Sequence, residues 1–193
     1  MRKFLLIFLV CLTSYSICHA GSSPKDFLGP LPDYVYYYQT EHGQKMTLHG
    51  LTWDHEGAIV VEQTTFFPDD PALADNCVDQ LSTVYVLYAD GGRLMWKGFG
   101  LVQNGYKVQF DLENPIWDNP LRGPDGEKVP SECRIVETSR QQLFGKERTV
   151  IEVAGEFCLP RVYASGIGLI DYAGFRLIRI EKKEASIKPE ANQ

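Results

Sequence analysis

From Met46 to Trp53 the chain alternates apolar and polar side chains, the period-2 signature of a strand with one wet face. The stretch before it, Tyr34-Val35-Tyr36-Tyr37-Tyr38, is aromatic and β-branched, a composition that pleated surfaces favour. Turn-forming text separates such runs: Glu41-His42-Gly43-Gln44, then Asp54-His55-Glu56-Gly57, then Asp90-Gly91-Gly92. Further strands are predicted at 58–67, 82–89, 93–99 and 106–112, with hairpins over 133–156 and 162–182. No stretch keeps helical periodicity over three turns. The pattern predicts an all-β protein: one strongly curved antiparallel sheet, a half-barrel or open barrel of about nine or ten strands.

The remaining segments organise the chain around that sheet. Arg2 and Lys3, an apolar run from Phe4 to Leu12, and Cys18-His19-Ala20 have the layout of a signal peptide cleaved after Ala20. The run is too short for a membrane span, which needs about 20 apolar residues. Neither Cys11 nor Cys18 follows the small residue that a lipoprotein peptidase requires, since Val10 and Ile17 stand there. The expectation is a single domain over 21–182, periplasmic or secreted from a bacterium, and a disordered tail over 183–193. Residues 21–33, with Pro24, Pro30 and Pro32, read as turn and extended chain without a helix. Residues 68–80 read as a loop. Residues 113–131 carry four prolines and read as a long loop of the kind that is often functional.

Charge narrows the partners. The chain carries a net charge of −6, and without Arg2 and Lys3 it has 17 Lys and Arg against 25 Asp and Glu. An acidic chain lacking a basic stripe does not bind nucleic acid by neutralising phosphates. Beyond residue 20 no integral membrane segment is expected, and no Asn-x-Ser/Thr sequon occurs.

Three cysteines follow residue 20: Cys77, Cys133 and Cys158. In an oxidising compartment an odd count leaves one thiol free or bonded to another chain. The hairpin turning at Leu143-Phe144-Gly145-Lys146 pairs residues whose numbers sum to about 289, which sets Cys133 opposite position 156. The register therefore predicts a Cys133–Cys158 disulfide, with Cys77 left out of it.

Catalytic chemistry finds little purchase. His42 and His55 fall in turns at opposite ends of the strand holding His49, roughly 30 Å apart, so they share no metal. Ser165 or Cys77 can be grouped with His49 and Asp79 only arbitrarily, since no nucleophile-elbow motif supports them. Glu62, Glu137 and Glu152 lie in predicted strands and fit a wet face as well as a glycosidase pair. No catalytic residue, metal or cofactor is expected. The aromatic residues point elsewhere: Tyr36, Tyr38, Trp53, Trp96 and Trp117 are candidates to line a groove for an apolar ligand, or to build the core. Trp117 stands out, because Ile116-Trp117 lies in the proline-rich loop, where exposure would mark a contact site.

Thr149–Phe157 followed by Val162–Ile170 resembles a closing segment of exported bacterial β-rich proteins akin to the curved-sheet lipoprotein carriers of the cell envelope. Cys158 and Pro160, between the halves, depart from that pattern. The resemblance spans about 30 residues and implies the curved sheet, with no functional residues carried over. Two internal segments also echo one another: Gly98–Val102 leading to Gly105–Val108, and Gly166–Ile170 leading to Gly174–Leu177. Three function classes remain. One is a non-catalytic binding or envelope-maintenance protein holding an apolar small molecule on a concave aromatic face. The second is an interaction module meeting an envelope protein through the 113–131 loop, and the third a carbohydrate-active enzyme.

Overall fold

The computed structural model describes residues 22–53, 57–66, 80–99, 105–119, 121–122 and 128–183. Residues 1–21, where the signal peptide is expected, Cys77, Asp79, His55 and the residues beyond Lys183 lie outside the described residues. Six strands run in sequence as a meander: β1 (Tyr34–Gln39), β2 (Lys45–Trp53), β3 (Ile59–Phe66), β4 (Gln80–Asp90), β5 (Arg93–Phe99) and β6 (Gly105–Asp111). After three short strands, β7 (Ile116–Asp118), β8 (Leu121–Arg122) and β9 (Lys128–Val129), a second meander follows. It comprises β10 (Glu132–Leu143), β11 (Lys146–Gly155), β12 (Cys158–Ala164), β13 (Gly168–Tyr172) and β14 (Phe175–Lys182).

Pairing of β1 with β14 joins the two meanders into one antiparallel sheet of twelve strands. The sheet is nearly closed and barrel-shaped, its end strands β6 and β7 coming together. The fold class is the expected one, and the count of twelve exceeds nine or ten for two reasons. The 158–182 region makes three strands, because Ala173 and Gly174, both at positive φ, turn the chain directly from Tyr172 to Phe175. The 113–131 segment also contributes β7, which pairs along β10 and covers that strand's open edge.

Burial follows the pleat. Tyr36 and Tyr38 of β1, Met46 and Leu48 of β2, and Ile59 and Val61 of β3 all point into the barrel. The N-terminal segment enters this interior. Pro24–Phe27 forms a single 3₁₀ turn where turn and extended chain without a helix was expected. Proline suits the first position of such a turn, where its missing N–H would have no partner anyway. Ser23 and Asp26 cap it: the Ser23 amide donates to Asp26 Oδ2 at 2.7 Å, and Ser23 Oγ accepts from the Lys25 amide at 3.3 Å. Phe27, fully buried, meets Phe110 edge-on at 5.3 Å, and Phe110 meets Tyr163 at 5.2 Å. Burial of each such ring contributes about 1.5–3 kcal/mol. Just beyond, Gly29 passes so close to the β12–β13 turn that a Cβ there would lie 1.8 Å from the Ile167 carbonyl oxygen.

The disulfide forms as the register predicts. Partners on β10 and β11 sum to 289 from Leu143↔Lys146 back to Glu137↔Glu152. One extra residue, Val136, then shifts the ladder by one. Cys158 is not on β11 itself. The Glu156-Phe157 turn carries it onto β12 opposite Gly155, and Cys133 bonds to it with a Cα–Cα separation of 5.4 Å.

Candidate functional site

A cavity of about 530 Å³ lies inside the curve of the sheet. Alternation builds its walls. β4 contributes Leu81, Thr83, Tyr85 and Leu87 at every second position, and β3 contributes Gln63 and Thr65. β12 supplies Arg161 and Tyr163, and β6 supplies Lys107 and Gln109. A bulge on β6, between the pairs Leu94↔Phe110 and Met95↔Val108, inserts Gln109 as the unpaired residue. It lets Gln109 reach the cavity while Phe110 fills the core. Leu81, Phe157 and Leu159 line the cavity and are more than half exposed, so the opening is rimmed by apolar side chains.

The polar groups inside are few and specific. Arg161 is only 7% exposed. Its Nη1 donates to Gln109 Oε1 at 3.1 Å, and its Nη2 lies 3.2 Å from Cys158 Sγ and 3.6 Å from Cys133 Sγ. Its Nε is buried with no hydrogen-bond partner among the described residues. The Tyr163 hydroxyl donates to the same Gln109 Oε1 at 2.9 Å. Lys107 Nζ sits 5.8 Å from the centre of the Trp96 ring, within cation–π range. Trp96 in turn packs against Tyr85 at 5.8 Å.

Electrostatics follow from this geometry. Burial pushes the Tyr163 phenol up to about 12, although the Arg161 charge pulls the other way. Burial raises Tyr85 and Tyr172 as well, so these cavity phenols are neutral at physiological pH. Burial holds Lys107 below the ordinary lysine range, and repulsion from Arg161 adds to it.

Of the five aromatic candidates, only Trp96 lines the cavity. Tyr36 and Tyr38 face inward as the alternation implies, but they are core residues. Their hydroxyls donate to the carbonyls of Ile167 at 3.0 Å and Leu169 at 2.6 Å, tying β1 to the β12–β13 turn and β13. Trp53 is exposed at the end of β2. Trp117 is buried on β7 opposite Cys133, because its strand pairs with β10 and turns the ring inward. Cys133 and Cys158 form the disulfide, and Cys158 is part of the cavity wall.

Among the described residues the alternative chemistries do not assemble, and Cys77, Asp79 and His55 lie outside them. Among the described residues no three His, Cys, Asp or Glu side chains could hold a metal ion. Ser165 Oγ accepts from the Thr149 amide, a structural bond between β11 and the turn after β12. His49 faces Glu62 across β2 and β3 at 3.8 Å, and Glu137 pairs in register with Glu152; none of the four lines the cavity. Arg161, Lys107 and Gln109 were not singled out from the sequence. The available signal was the two-residue spacing of Arg161 from Tyr163 and of Lys107 from Gln109, which gives each pair one face. No protein-family model, curated protein or solved structure matches this chain.

Proposed function

We propose that the chain is an exported, non-catalytic binding protein that takes an apolar small molecule into its barrel. The observation that carries this reading is the cavity of about 530 Å³ behind a rim of exposed Leu81, Phe157 and Leu159. Ligand sites are typically concave, mostly apolar and about 300–1,000 Å³ in volume, with a few placed polar groups. Trp96, Leu87 and Leu169 supply apolar surface, and Arg161, Lys107 and Gln109 supply the polar groups. The Cys133–Cys158 bond fits an oxidising compartment such as the periplasm or the medium outside the cell. A role in envelope maintenance agrees with both. The docking-module reading drew on an exposed Trp117, and that ring is buried.

Uptake of Nile red, a neutral dye that brightens in apolar surroundings, tests the proposal. Wild-type protein should enhance its emission, and Thr83→Trp, which fills the cavity from β4, should abolish the enhancement without lowering the melting temperature by more than a few degrees. Wild-type protein that leaves the dye dark would sink the proposal.

A further inference from the structure

Five arginines make ion pairs among the described residues: Arg93, Arg134, Arg140, Arg176 and Arg179, each with a side chain about half exposed or more. Arg161, the buried one, makes none. Its partners are one amide oxygen and two disulfide sulfurs, and sulfur is a weak acceptor. Of its five N–H donors, Nε has no partner among the described residues. A buried charge without a counter-charge is costly, and proteins normally pair such groups. The cavity sharpens the anomaly. Its described lining holds a second cation, Lys107, and no Asp or Glu.

We infer that the cavity is completed by an anionic amphiphile, a long-chain carboxylic acid whose carboxylate sits against Arg161 with Lys107 beside it and whose chain lies along Trp96, Leu87 and Leu169. The inference rests on the ligand-binding reading above and specifies its ligand class. A guanidinium with open donors matches a carboxylate in charge and in planar geometry. Gln109 Oε1 already accepts from both Arg161 and Tyr163, so it orients the guanidinium without neutralising it. Size agrees: at about 30 Å³ per non-hydrogen atom, close to the share of a water molecule, the cavity holds on the order of 18 such atoms. That is one acyl chain with its acid group, and far less than a two-chain phospholipid.

The test compares palmitate with hexadecanol, the same chain bearing a neutral head, as competitors for bound Nile red. In wild-type protein palmitate should displace the dye at a concentration about tenfold or more below that of hexadecanol, the scale of one charge-assisted hydrogen bond. Arg161→Met, similar in length and apolar, should bring the two competitors level while hexadecanol binds as before. Retained hexadecanol binding shows that the variant is folded. Lys107→Met should cut the preference only a few-fold. Equal affinities in wild-type protein, or a palmitate preference that survives in Arg161→Met, would overturn the inference. If Arg161→Met binds neither competitor, the wild-type ratio alone decides. Dye that binds yet yields to neither amphiphile overturns the anionic ligand but leaves the binding reading standing; dye that never binds removes that reading itself.

Discussion

Replacing Cys133 and Cys158 together by alanine isolates what the disulfide contributes. The bond closes a loop with a sequence separation of 25, which lowers the entropy of the unfolded chain by about 12 cal/mol/K, or about 3.5 kcal/mol at 25 °C. For a domain of this size each kcal/mol moves the melting temperature by about 2–4 °C, so the double variant should melt about 7–14 °C lower. Cys133 is fully buried and Cys158 nearly so, which makes alanine the right replacement: serine would add the cost of an unpartnered hydroxyl. Thermal unfolding followed by far-ultraviolet circular dichroism reads the change, with reduced wild-type protein as the companion sample. Both should fall together. A shift under about 3 °C in both samples would refute the reasoning, since a loop of that length could then not have been constrained in the unfolded state.

Asp111→Asn should cost about 2 kcal/mol at pH 7, because the buried carboxylate accepts from Arg93 Nε at 2.8 Å, from the Glu113 and Asn114 amides at 2.9 Å, and from Asn114 Nδ2. Burial alone would raise this acid, but those hydrogen bonds outweigh it and hold its pKa below the ordinary value. Its contribution is therefore present above about pH 4 and is lost as pH falls through the lowered folded value. Denaturant titrations should show the gap between wild type and variant closing in strong acid; a gap unchanged by pH would contradict the assignment. Gly29→Ala should destabilise by about 3 kcal/mol or more, since its Cβ would meet the Ile167 carbonyl oxygen at 1.8 Å. An unchanged melting temperature would mean that the N-terminal segment does not thread against the β12–β13 turn.

What could be read in advance depended on how local the determinant was. The turn at Phe144-Gly145 was legible because a glycine between two strand-like runs marks a tight hairpin. Both residues do take positive φ, and the turn dictates the register down to Glu137, one residue before the Val136 bulge shifts it by one. The strand β7 was not legible. Three residues flanked by prolines carry no periodicity, and only the uncovered edge of β10 recruits them. That pairing also buries Trp117. Tyr36 and Tyr38 could be placed on the inner face by alternation, but whether an inward ring fills the core or lines a cavity depends on what stands opposite it. Here Ile167 and Leu169, more than 120 residues away, supply the carbonyls that hold them. Arg161 was hidden for the same reason. Between Pro160 and Val162 it reads as a wet-face residue, and only the closing of β6 toward β12 through Gln109 encloses it.

The most direct measurement is native mass spectrometry of the protein purified without detergent and then incubated with excess palmitate. One adduct per chain is expected, with a mass set by a single-chain acid, released by organic extraction and needing about tenfold more palmitate to appear in Arg161→Met. A bare polypeptide mass in every preparation, including the one incubated with palmitate, would contradict it.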